Sequence, residues 1–199
     1  MFVQVIQGRT TDAAALRARG ERWASEMRPG AAGYLGGTFG VADDGTFVIL
    51  ARFADAAAAK TNSDRPEQGA WWAETAPLIE GEATFRESTD VTTLFGGGSD
   101  SAGFVQIMEG TVSDRAKAEA FETPELEAQL RSARPDLLGS LRVWFDGGAF
   151  LEAAYFTSEA DARTGETSAE FAASQADYMA LFGDMTFTDL HDPHLTGPA

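Results

Sequence analysis

Asn62 and Arg65 stand three residues apart, just ahead of Pro66 and the adjacent pair Trp71 and Trp72. An asparagine amide and an arginine guanidinium beside a helix N-terminus can hold the oxygen atoms of an acidic ligand or steady a developing enolate. The flat face of an indole suits an aromatic ligand. Asn62 and Arg65 are therefore the candidate catalytic residues, and Trp71 and Trp72 are candidates for substrate binding. The same segment also has a structural use, with Asn62, Ser63 or Asp64 as a cap, Pro66 in a first turn and Glu67 where the helix dipole favours an acid. The two uses are compatible. Neighbouring helical residues point about 100° apart. One tryptophan is thus expected to pack beneath the helix, and the other to line a pocket or a contact between halves of the chain.

Gln4 and Gln106 each place an amide in the middle of an apolar strand, and a buried amide needs hydrogen-bond partners or water. A polar cavity would supply them. So would a symmetric contact in which both glutamines set strand register. Tyr34, on the glycine-rich stretch Gly33 to Gly37, can donate a hydroxyl into the same space or pack at a sheet edge. Gln4 and Tyr34 complete the candidate substrate-binding set.

Both histidines, His191 and His194, sit in the last strand or the tail, where the plainer reading is a solvated tail. Asp189 and Asp192 stand nearby, but a chain end rarely supplies the fixed geometry of a metal site, and no metal is expected. The body of the chain then has no histidine to act as base or nucleophile activator. Cysteine is absent, which excludes disulfides, thiolate catalysis and cysteine-held metals. With 15 basic and 31 acidic residues the net charge is −16, opposite in sign to what a phosphate backbone attracts, so nucleic acid is not an expected partner. No stretch has the length and apolarity of a membrane span or the layout of a secretory signal. A cytoplasmic location without membrane contact is the expectation.

The elements that must position these residues occur twice. Phe2 to Asp12 (FVQVIQGRTTD) recurs 102 positions later as Phe104 to Asp114 (FVQIMEGTVSD), with five identities in eleven residues. In the first copy an apolar strand from Phe2 is followed by a helix with Leu16, Gly20, Trp23 and Met27 on one face, which Pro29-Gly30 stops. Tyr34 to Val41 and Thr46 to Phe53 form a hairpin around Asp44-Gly45. A helix begins at Ala56, breaks at Asn62 to Asp64 and restarts at Pro66, and a last strand lies within Ala83 to Phe95. The second copy follows the same order, with its first helix broken at Thr123-Pro124-Glu125. Gly96-Gly97-Gly98 is the linker, so the halves are 1–98 and 99–199. The fold class is α+β: two ferredoxin-like β-α-β-β-α-β repeats in one chain, packed as a pseudo-dimeric α/β barrel.

This duplicated order, with the broken, tryptophan-bearing helix at Asn62 to Trp72, resembles the dimeric α/β-barrel superfamily and, within it, the antibiotic-biosynthesis-monooxygenase-like domains. The resemblance implies a pocket between sheet and helices, used in some members for cofactor-independent oxygenation of polycyclic phenols and in others for haem breakdown. The haem-degrading branch uses a histidine on the second helix, and none stands near Trp71, so no cofactor is expected. Two functions remain open at this point. One is a monooxygenase in which Trp71 or Trp72 stacks an aromatic or enolisable substrate while Asn62 and Arg65 stabilise its anion. The other is a non-catalytic binding or sensor protein. In the second copy Ala173 to Tyr178 has no Trp, Arg or Pro in the matching places, so if the chain has one functional pocket it is expected in the first half. The duplication makes a monomer sufficient, with a small molecule as the partner and a further homo-oligomer allowed.

Overall fold

Phe2, Val3, Val5 and Ile6 are all buried in β1 (Phe2–Arg9), as expected of a nearly continuous apolar run covered on both faces. The structure is a computed structural model that describes residues 1–167, 178 and 180–198. After β1 come α1 (Ala13–Arg22), β2 (Tyr34–Val41), β3 (Thr46–Phe53), α2 (Ala56–Ser63), α3 (Pro66–Thr75) and β4 (Glu80–Ser88). Asp12 caps α1 by accepting the Ala15 N–H at 2.9 Å. The helix widens into a π turn at Trp23–Met27 before Pro29 ends it. Gly45 takes φ of 85° in the β2–β3 turn, the left-handed geometry that Asp-Gly suits.

The plan repeats in β6 (Phe104–Thr111), α4 (Arg115–Phe121), α5 (Pro124–Ala133), β7 (Leu137–Trp144), β8 (Ala149–Phe156), α6 (Glu159–Glu166) and β9 (Thr186–His191). Asp114 caps α4 as Asp12 caps α1. The break predicted at Thr123-Pro124 is present, with the Thr123 hydroxyl accepting the Leu126 N–H at 3.2 Å. Ala173 to Asp177, singled out in the sequence as the counterpart of the tryptophan segment, lie outside the described residues.

Two short strands change the expected boundaries. A single strand was predicted within Ala83 to Phe95, but a bend at Thr89 separates β4 from β5 (Val91–Leu94), and β5 pairs with β7. The supposed C-terminal tail forms β10 (His194–Thr196), which pairs with β2. The sheets are therefore five-stranded, in the orders β10-β2-β3-β1-β4 and β5-β7-β8-β6-β9, the last four strands of each order being the ferredoxin-like arrangement and β10 and β5 the additions. The chain divides into one unit of Met1–Thr89 with His191–Ala199 and another of Asp90–Leu190, not at 98/99. The glycine run at 96–98 punctuates the chain locally, whereas the unit boundary follows strand pairing.

In the first unit Ile6, Leu16, Phe39, Val41 and Phe47 form a core against Trp72 and Ile79, and Phe2, Tyr34 and Phe53 pack with Trp23. In the second, Val112, Ala118, Trp144, Phe150 and Phe182 pack with Tyr178. Among the described residues no helix is long and apolar enough to cross a membrane.

Candidate functional site

Between the helices and the sheet of the first unit lies a cavity of about 300 Å³. Its floor is β1, β2 and β3, contributing Gln4, Ile6, Thr38, Phe39, Ile49 and Ala51, and its roof is α1, α2 and α3. Gly37 is on the wall because a Cβ there would collide with the Tyr34 hydroxyl, so glycine makes room for that ring. Trp23, Tyr34, Trp71, Trp72 and Phe85 surround the space with aromatic faces, and none of the described lining residues is an Asp, Glu, Lys or Arg.

Five of the six sequence-predicted residues meet at this cavity. Gln4 lines it and donates its Nε2–H to Glu87 Oε1 at 2.8 Å. Gln106 does the same in the second unit, to Asp189 Oδ1 at 2.9 Å. The two glutamines each fix a central strand to an edge strand of their own sheet. Tyr34 is buried, with its hydroxyl 2.7 Å from Thr196 Oγ1, and its ring stands edge-on to Trp23 and Phe53.

Trp71 and Trp72 both line the cavity, against the expectation that only one would. Their ring centroids are 6.1 Å apart. Trp72 joins the core and meets Phe85 edge-on at 5.2 Å. Trp71 lies under the Arg19 guanidinium, 5.2 Å from its ring centroid, and its buried Nε1 has no hydrogen-bond partner. Both can reach the cavity because it is wide enough to span two helical faces.

Asn62 is buried in the last turn of α2 and lines the cavity. None of Asn62, Ser63 and Asp64 caps α3: Arg65 occupies the cap position without a side-chain bond, and Pro66 begins the helix. Arg65 is not on the wall. Its Nη1 donates to the Met27 carbonyl at 3.0 Å and to Asn62 Oδ1 at 3.1 Å, which ties the end of the π turn to the α2–α3 junction. The second of these bonds fixes the Asn62 side-chain oxygen.

Two further residues at or beside the cavity escaped the sequence reading. His194, assigned there to a solvated tail, lies in β10 opposite Phe39 and lines the cavity, and its buried Nε2 has no hydrogen-bond partner. The alternation His194-Leu195-Thr196 was the available signal, too short to stand alone. Arg19, half of the α1–α3 clamp, donates to Thr75 Oγ1 at 3.2 Å, to Glu74 at 2.9 Å and to the Trp71 carbonyl at 2.8 Å. His191 points elsewhere, 3.8 Å from Asp43.

The second unit also has a cavity, of about 460 Å³. Strand register shows how the two differ. Phe39 faces Ile49 across β2 and β3, and the equivalent pair across β7 and β8 is Arg142 and Glu152. An apolar pair in the first unit is a buried ion pair in the second.

No family model matches the chain, and no curated protein matches it. Solved structures do. A candidate monooxygenase from Fusobacterium nucleatum superposes with a TM-score of 0.76 at 10% identity, over 98% of this chain and 94% of that one. A second candidate monooxygenase, from Lactobacillus acidophilus, gives 0.70 at 12% identity over 98% and 96%. An anthrone oxidase-like protein gives 0.62 at 13% identity over 98% and 93%. At these identities the likeness establishes the tandem fold over nearly the whole chain.

Proposed function

We propose that the first unit binds a neutral, flat, enolisable aromatic molecule and oxygenates it with dioxygen, the substrate supplying the electrons. The observation that carries this reading is the wall of aromatic rings without charged side chains, to which His194 brings an imidazole whose buried Nε2 has no hydrogen-bond partner. The names of the structural neighbours, two candidate monooxygenases and an anthrone oxidase-like protein, point the same way.

In this mechanism the indoles of Trp71 and Trp72 stack the substrate, and Gln4 and Tyr34 border it. His194 takes a proton from the ring methylene that is conjugated with the substrate's carbonyl, in anthrone the CH2 across the central ring from it. The Asn62 amide donates to the enolate oxygen that forms, and Arg65 positions that amide by donating to its Oδ1. The enolate passes its electrons to dioxygen and a C–O bond forms, giving a hydroperoxide. The O–O bond then breaks with loss of water, leaving a new carbonyl where two hydrogens had been.

Anthrone is the probe that tests it. The expected result is protein-dependent uptake of one dioxygen per anthrone oxidised, with His194→Gln lowering kcat about a hundredfold at nearly unchanged affinity. Trp72→Ala should raise KM. Binding of anthrone without oxygen uptake would assign the protein to ligand binding without catalysis, and no binding at all would remove the aromatic reading of the cavity.

A further inference from the structure

The second cavity is apolar along most of its wall, with Leu94, Phe95, Met108, Leu130 and Phe156 among its lining residues, but one end is acidic. Glu122 and Glu152 both line it there. Arg142 lies behind them, without exposed surface and outside the wall, with its Nη2 2.6 Å from Glu152 and 2.7 Å from Glu122. Two carboxyl groups thus share one guanidinium.

Their hydrogen bonding is unequal. Glu152 accepts from Ser140, from Arg142 Nε at 2.7 Å and from the Tyr178 hydroxyl at 3.3 Å. Among the described residues Glu122 has the ion-pair contact alone, its buried Oε1 facing Arg142 Nη2 at 2.7 Å without an aligned hydrogen bond, and the side chain is just 9% exposed. The other charged groups on the wall have protein partners. Arg134 is held by Asp136 and the Ala162 carbonyl, Glu127 by Arg131 and the Phe95 N–H, and Arg163 by Glu159, Glu166 and Asp189. Burial pushes the Glu122 carboxyl above its ordinary value despite Arg142, so ionising it costs the empty fold free energy. The break at Thr123-Pro124 is what ends α4 at this residue and leaves it on the wall.

We propose that the second unit's cavity is a separate binding site for an organic cation, an arylalkylamine, whose ammonium donates to Glu122 while its ring occupies the apolar part. The ammonium supplies the positive charge that a single guanidinium lacks against two carboxylates, and a hydrogen-bond donor for Glu122, which has fewer partners than Glu152. An anion is disfavoured because the guanidinium sits behind the carboxyl groups. The two units thereby share a plan and divide ligand chemistry, neutral in one and cationic in the other.

Isothermal titration with tryptamine and its neutral isostere tryptophol tests this. Wild-type protein should bind tryptamine about tenfold or more tighter than tryptophol. Glu122→Gln, which keeps shape and removes the charge, should shrink that preference to within about threefold, whereas Glu119→Gln, on the exposed face of α4, should change it by less than about twofold. Equal affinity for the two probes, a preference that survives in Glu122→Gln, or no binding of either at millimolar concentration would overturn the proposal. None of these outcomes bears on anthrone oxidation in the first unit.

Discussion

Replacing Arg142 by methionine should destabilise the second unit severely while leaving the first intact. The guanidinium is fully buried, touches Glu152 and Glu122 within 2.7 Å, and lies over the rings of Phe182 and Trp144 at 4.5 and 5.3 Å. Methionine retains the unbranched stem and most of the volume, so a new void contributes little. What remains is a pair of buried carboxyl groups with no cation between them. Breaking a buried ion pair from one side costs about 3–5 kcal/mol, against a total of about 5–15 kcal/mol for an ordinary domain. Adding Glu152→Gln should recover about half of the loss, because it removes a charge and leaves an acceptor for Ser140 and Tyr178. Urea unfolding combined with hydrogen exchange would measure this, since the two units need not unfold together. Peptides from β7 and β8 should lose protection in Arg142→Met, those from β2 and β3 should not, and the double variant should lie between. A loss under about 1 kcal/mol, or equal loss of protection in both units, would mean that the carboxyl groups are satisfied by something other than Arg142.

Three further outcomes follow from the geometry. Tyr34→Phe leaves the buried Thr196 hydroxyl without its 2.7 Å partner, and should cost about 1–2 kcal/mol in thermal or urea unfolding with faster exchange at the β10–β2 edge. Gly37→Ala drives a Cβ into the Tyr34 ring, and should destabilise by about 1–3 kcal/mol and weaken anthrone binding more than tryptamine binding. Glu122→Gln should change stability with a definite pH signature. Because burial raises the folded-state value of this carboxyl above its unfolded one, its contribution is present at acid pH and lost as pH rises through the folded value, so the variant should gain in Tm over wild type at neutral pH and lose that gain near pH 4. A Tm difference independent of pH would show that Glu122 titrates alike in both states.

Much of the scaffold could be read in advance because its signals are local. Asp12 and Asp114, 102 positions apart, cap the same helix in each copy; Asp44-Gly45 makes the hairpin; Thr123-Pro124 breaks the helix. Each depends on residues a few positions away. The candidate site was partly legible for the same reason, since Trp71, Trp72 and Asn62 had to lie at the α2–α3 junction. Arg65 illustrates the limit: its type and place fit anion binding, yet the carbonyl of Met27 claims its guanidinium. That carbonyl is distant in sequence and close only after folding.

The amino-acid order by itself determined that the plan occurs twice and where its longer strands and its helix caps and breaks fall. Tertiary structure alone decided where the short edge strands go, with His194 opposite Phe39 and Val91 opposite Val143. It also decided that a histidine from the far end of the chain enters one cavity and that Arg142 and Glu152 form an ion pair beneath the other. The physical reason is range. Helix periodicity, caps and turns act over one or two turns of backbone, whereas three- or four-residue strands have no stability of their own and take their place from the edge that offers them hydrogen bonds.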